Sequence, residues 1–179
     1  MIANLTTAPG VGKLLLNAWN AEYCLRIKYG PSNRDYLNKA LNWVFPQAYY
    51  TVFFSVRAAL AVDGINMANE DEIIKLVSQW AASGEGGPAY TRQGNPFDGL
   101  LEHRITARHN PDAYRFTAPE AAAIHVQLIE RVYSVNTITE TYIHNRLGSY
   151  SYQHLFSTAP DYLKADFVGV RTRSVIALA

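Results

Sequence analysis

The sequence predicts an all-α protein, an antiparallel four-helix bundle with short accessory helices, and three observations lead there. Apolar residues recur at helical spacing in four segments. Helix-start and helix-stop signals bracket those segments. No alternation of apolar and polar residues supports a sheet, and no internal repeat is visible. With 179 residues, 49% of them hydrophobic, the chain is long enough for one well-buried core and short for two, so residues 1–179 read as a single domain.

Leu15, Trp19, Tyr23 and Ile27 recur at i+4 in a first helix from about Val11 to Tyr29, which Gly30-Pro31 stops. Cys24 lies on it; as the single cysteine it excludes an intramolecular disulfide, and it is expected to be a buried apolar thiol. Ser32 and Asp35 offer a capping box for a short segment through Leu41, after which Pro46 kinks the chain or opens the next helix. In that second helix Tyr49, Val52, Phe53, Val56, Ala59 and Leu60 share one face, with Gln47, Thr51, Ser55 and Ala58 largely on the other, an amphipathic pattern that Asp63-Gly64 ends. Asn69 caps a third helix, with Glu70, Asp71 and Glu72 against its positive dipole end and Ile73, Ile74, Val77 and Trp80 facing inward.

Seven glycines and prolines between 83 and 99 predict a long loop, either functional or a connector. Thr117, Pro119 and Glu120 then start the longest helix, which Ala121, Ile124, Leu128, Val132, Val135, Ile138 and Tyr142 carry to about Leu147. Beyond Gly148 a short helix is expected around Asp161 to Phe167, and 168–179 is open among helix, strand and tail.

The net charge is +1 with 17% charged residues, so nothing global drives the chain toward nucleic acid or an anionic membrane, and a phosphate-binding surface has to be local. The absence of a basic leader followed by an apolar stretch, and of any run of about 18 apolar residues, predicts a cytoplasmic protein without a membrane partner. The densest polar cluster is Glu102-His103-Arg104-Ile105-Thr106-Ala107-Arg108-His109-Asn110-Pro111-Asp112, which holds two arginines and two histidines.

The Tyr49-Tyr50 pair with its small-and-aromatic stripe resembles the second helix of the HEPN superfamily, and Ala107 to Asp112 is similar to the arginine-containing turn before the last main helix of many HEPN domains. Arg104 and His109 match the family's nuclease pattern of an arginine, four to six residues and a histidine, although Ile105 replaces the usual polar residue after the arginine. The resemblance implies a homodimer in which arginine and histidine of two subunits meet and RNA is cut without metal or other cofactor. Arg104 and His109 would be catalytic and Arg108 would hold substrate, on a solvent-accessible turn. An imidazole can move the protons and a guanidinium can hold the phosphate as charge develops. The implied biology is a toxin or defence ribonuclease. The alternative is a non-catalytic HEPN-like module that binds a protein partner, for example a nucleotidyltransferase antitoxin, or a nucleotide.

Other groupings point less far. Arg146 and His154 fall outside the family spacing. Glu140 and His144 sit one turn apart as a helix-surface pair, short of the ligands a metal needs. His125 reads as a flank or satisfied core histidine, and Lys164, Arg171 and Arg173 as a modest basic cluster. Pro9-Gly10-Val11-Gly12-Lys13 has the wrong spacing for a phosphate loop. Tyr49, Tyr50, Phe53 and Phe54 suit core packing better than base stacking.

Overall fold

A computed structural model describes residues 8–26, 34–90, 94–109 and 116–177. Among them are eight helices and no strand: α1 (Ala8–Arg26), α2 (Arg34–Val62), α3 (Glu70–Ser83), α4 (Leu100–His109), α5 (Ala118–Leu147), α6 (Ser149–Ser157), α7 (Asp161–Ala165) and α8 (Phe167–Ala177). Ile27, the Gly30-Pro31 stop and the Ser32 cap lie outside the described residues.

Helix α2 is the spine. It runs through Pro46 without a break, and its most extensive packing is against α1 on one side and α5 on another, with α4 across it. A proline inside a helix costs about 3 kcal/mol. Burial of the flanking Val44, Phe45, Ala48 and Tyr49 offsets that cost. The expected division of this helix into an apolar and a polar face is corrected: Thr51, Ser55 and Ala58 are as buried as Val52 and Val56. Small side chains there let α1 approach, and the Thr51 hydroxyl donates to the Gln47 carbonyl at 2.8 Å, so the second face carries little unsatisfied polarity.

Two apolar clusters result. One joins Phe45, Tyr49, Val52, Phe53 and Val56 of α2 to Ile73, Val77 and Trp80 of α3, Tyr90 and Phe97 of the loop, and Leu128, Val132 and Val135 of α5. The other gathers Val11, Leu15 and Trp19 of α1 with Ala58, Ala59, Ile143, Tyr152, Leu163, Val168 and Val175. The segment after Gly148 is therefore helical and packed, because its apolar residues close the second cluster.

Both helix starts are as the sequence predicts. Asn69 Oδ1 accepts from the amides of Asp71 and Glu72 at 2.9 and 3.2 Å, and Thr117 with Glu120 forms a reciprocal capping box. In the glycine-rich loop the Trp80 ring lies over Gly87, where an added Cβ would fall 2.2 Å from the ring. Asn95 Nδ2 donates to Ser78 Oγ at 2.8 Å, and Arg131 Nη2 donates to the Asn95 carbonyl at 2.8 Å. The described part of the loop is docked on α3 and α5. Gly169 permits a similarly close crossing: a Cβ there would meet the Lys164 carbonyl oxygen at 2.0 Å.

Two further expectations are corrected. Cys24 is exposed, because α1 turns Leu15, Ala18, Trp19, Glu22 and Leu25 inward and Cys24 away. The segment holding Arg104 and His109 is the helix α4 rather than a turn, held at its start by Leu100 in the core and by Phe97 carbonyl bonds from the Leu100 and Leu101 amides. No helix among the described residues is long and apolar enough to cross a membrane.

Candidate functional site

Helix α4 crosses α2 so that successive side chains meet successive turns of it. His103 stacks on Phe45, with ring centroids 4.5 Å apart. Arg104 lies over Tyr49, its Cζ 4.1 Å from the ring centroid and 5.9 Å from that of Tyr50. The guanidinium is also fixed by Glu70 at the start of α3: Nη1 donates to Oε2 at 3.2 Å and Nη2 to Oε1 at 2.5 Å. This is a bidentate pair, partly exposed on both sides. Burial works against the charge of Arg104, but the bonds to Glu70 and the neighbouring Tyr49 outweigh it and hold the guanidinium above its ordinary value. The Tyr49 hydroxyl is buried without a hydrogen-bond partner, and burial together with the Glu70 carboxylate pushes its ionisation upward.

His109 ends α4 and is exposed. It stands five positions after Arg104, about 140° around a helix of 3.6 residues per turn. The two side chains thus leave α4 in divergent directions. Arg108 follows Arg104 by four positions in α4, and its side chain lies outside the described residues. On the other flank of α4 a cleft of about 660 Å³ opens, lined by Phe45, His103, Phe116, Gln127, Glu130 and Arg131.

The remaining candidates have structural partners. Arg146 pairs with Asp63 at 3.3 Å and donates to the Tyr142 hydroxyl at 3.0 Å, while His154 is exposed on α6. His125 Nε2 is 2.7 Å from the Leu25 carbonyl. Lys164 and Arg173 are drawn to Asp161 and to the Lys164 carbonyl. Among the described residues no group of three His, Cys, Asp or Glu side chains is placed to hold a metal ion.

The expected surface roles of Glu140, His144 and Arg171 are corrected, since all three are buried. Arg171 is the centre of a buried network. Its Nη1 donates to Glu22 Oε1 at 2.6 Å, and its Nη2 and Nε donate to Glu140 Oε1 at 2.6 and 3.1 Å. Trp19 Nε1, the Tyr152 hydroxyl and the Thr172 hydroxyl complete Glu140 at 2.9, 2.7 and 3.1 Å. Asn136 Nδ2 and Arg26 Nη2 complete Glu22 at 2.6 and 3.1 Å. Burial opposes the charge on Arg171, but Glu140 and Glu22 together hold it above the ordinary arginine value. The sequence does carry one signal of this network. Glu22 occupies the face of α1 that Leu15, Ala18 and Trp19 define, a place where an unpaired charge could not stay.

A family model described as HEPN domain matches residues 29–139, more than half of the chain. No curated protein and no solved structure gives a significant match.

Proposed function

Because the chain belongs to the HEPN domain family, we propose that it works as a homodimer that binds RNA and cleaves it without a metal ion, as part of a toxin or defence system. The observation that carries this reading is the display from one surface helix, α4, of a fixed arginine and an exposed histidine at the family spacing. Because Arg104 and His109 diverge, one phosphate is best served by the arginine of one subunit and the histidine of the other. A neutral imidazole takes the proton of the ribose 2′-hydroxyl as its oxygen attacks phosphorus. The bond from phosphorus to the 5′-oxygen breaks, and the leaving oxygen takes a proton from water while the imidazolium returns its own to solvent, leaving a 2′,3′-cyclic phosphate and a 5′-hydroxyl. Arg104 holds the phosphate as charge accumulates on it, and Arg108 holds the RNA backbone.

A specific observation favours a second reading, a non-catalytic module that binds a protein such as a nucleotidyltransferase antitoxin, or a nucleotide. Glu70 already neutralises Arg104 and occupies both Nη groups. Incubation with varied RNAs in the presence of a chelator separates the two. The expected result is cleavage that leaves cyclic phosphate ends. His109→Ala and Arg104→Ala abolish most of it while preserving the dimer, and Arg108→Ala weakens binding and lowers its salt dependence. Full activity in His109→Ala would sink the site, and no cleavage by the unaltered protein moves the assignment to the partner-binding module.

A further inference from the structure

From residue 43 through 56, helix α2 contains no charged residue. Among the described residues, nothing fully covers one side of this stretch. Trp43 is 73% exposed and Tyr50 41% exposed, with Phe54 half-buried and stacked on Tyr50 at 6.0 Å. Trp43, Gln47, Tyr50 and Phe54 follow one another by four, three and four residues, which holds them within about 60° of one another around the axis and spreads them over about 16 Å. Buried cores of protein interfaces are depleted in charge and enriched in Trp, Tyr and Phe, which matches this stripe.

We propose that the Trp43–Gln47–Tyr50–Phe54 stripe is the face on which a second copy of this chain docks, with the two α2 helices antiparallel across a twofold axis. This rests on the homodimer named above and assigns its surface. The spacing four-three-four reads the same in both directions. A twofold axis between 48 and 49 therefore sets Trp43 against Phe54 of the partner subunit and Gln47 against the partner's Tyr50, as an isologous contact requires. At about 200 Å² for a large aromatic side chain, the exposed parts of Trp43 and Tyr50 in two copies amount to roughly 450 Å². That is nearly half of the about 1,000 Å² a stable interface needs.

Charge argues for protein over RNA on this stripe. Arg104, beside Tyr50, is neutralised by Glu70, with Asp71 and Glu72 at the same helix start, and Arg57, three residues past Phe54, lies over the Phe53 ring at 5.8 Å. Tyr50 borders both the stripe and the Arg104 site, so the contact carries α4 of each copy toward the other.

Light scattering at tens of micromolar tests the assignment, with Trp43→Glu as the main variant and Tyr150→Glu as the control, since Tyr150 is 82% exposed elsewhere, on α6. The unaltered protein and the control should be dimers and Trp43→Glu a monomer with an unchanged helical spectrum. If Trp43→Glu fails to fold, Gln47→Glu repeats the test with a milder change beside the axis. With Cys24→Ser as background, Trp43→Cys combined with Phe54→Cys should oxidise to a covalent dimer. A dimer that survives these charges, or one that does not cross-link, overturns the face while leaving the ribonuclease reading in place. If Trp43→Glu loses RNA binding but stays a dimer, the stripe belongs to RNA and the proposal fails. A monomeric unaltered protein overturns both readings. A charge-sensitive dimer that never cleaves RNA upholds the face alone.

Discussion

Two arginines in this molecule stack near tyrosine rings and meet carboxylates through more than one nitrogen, yet they do different work. Arg171 is entirely out of water, with two carboxylates and each of its three nitrogens donating to Glu22 or Glu140, arranged by α1, α5 and α8. Arg104 has one carboxylate, at the rim, and both members of the pair reach solvent. A buried charge with matched partners has one geometry, since any loss leaves an ion without water or a counter-charge. A rim pair can exchange its carboxylate for another anion because water covers the interval. The difference teaches where to look for chemistry. The denser network is a joint, and the sparser one is the place to test for a ligand.

The most severe way to break this comparison is Arg171→Ala, which strands Glu22 and Glu140 in the interior. We expect a loss of about 3 to 5 kcal/mol in urea unfolding. A loss below about 1 kcal/mol would mean that the carboxylates reach water and that the joint is not one. Glu70→Gln is gentler, at about 1 kcal/mol or less, as for other partly exposed pairs. It should raise affinity for RNA by freeing Arg104, measured by filter binding at fixed salt. Unchanged affinity would remove Arg104 from the binding surface. The smallest effect belongs to Glu120, whose carboxyl is held below the usual carboxylate value by the backbone amide and hydroxyl of Thr117. Its folded-state value lies below its unfolded one, so its contribution is present at neutral pH and fades as pH falls through that lowered value. Glu120→Gln should therefore flatten the acid limb of the stability profile. An unchanged limb would assign it to other carboxylates.

Much of the architecture is legible residue by residue. The Asn69 and Thr117 caps, the Gly84 and Gly148 ends and the inward face of α3 depend on neighbours within a turn or two, which periodicity and capping chemistry read directly. Helix α4 is not legible in that way, because Glu102 to His109 is mostly polar and lacks an apolar residue every third or fourth position. It is held by partners distant in sequence: Phe45 for His103 and Glu70 for Arg104. The second buried face of α2 is hidden for the same reason. Thr51, Ser55 and Ala58 look like a solvated flank until α1 is seen against them. Of the candidate site, the spacing of Arg104 and His109 is in the sequence, whereas the Glu70 clamp and the divergence of the two side chains require the helix.

The joint at Arg171 also sets an order on the chain's birth at the ribosome. Glu140 precedes its arginine by 31 residues and Glu22 by 149. At roughly 5 to 20 residues per second, the shorter interval alone lasts about 2 to 6 s. Until Arg171 arrives Glu22 has only Arg26 as a counter-charge and Glu140 has only neutral donors, which works against drying the ends of α1 and α5 that carry them. Most of the apolar cluster around α2, α3 and α5 lies away from these ends and is made by Val135, although Leu25, three residues past Glu22, belongs to it. We expect a nascent chain stalled before α8 to keep Glu140 without its cation and the second apolar cluster incomplete, since Val168 and Val175 also lie on α8.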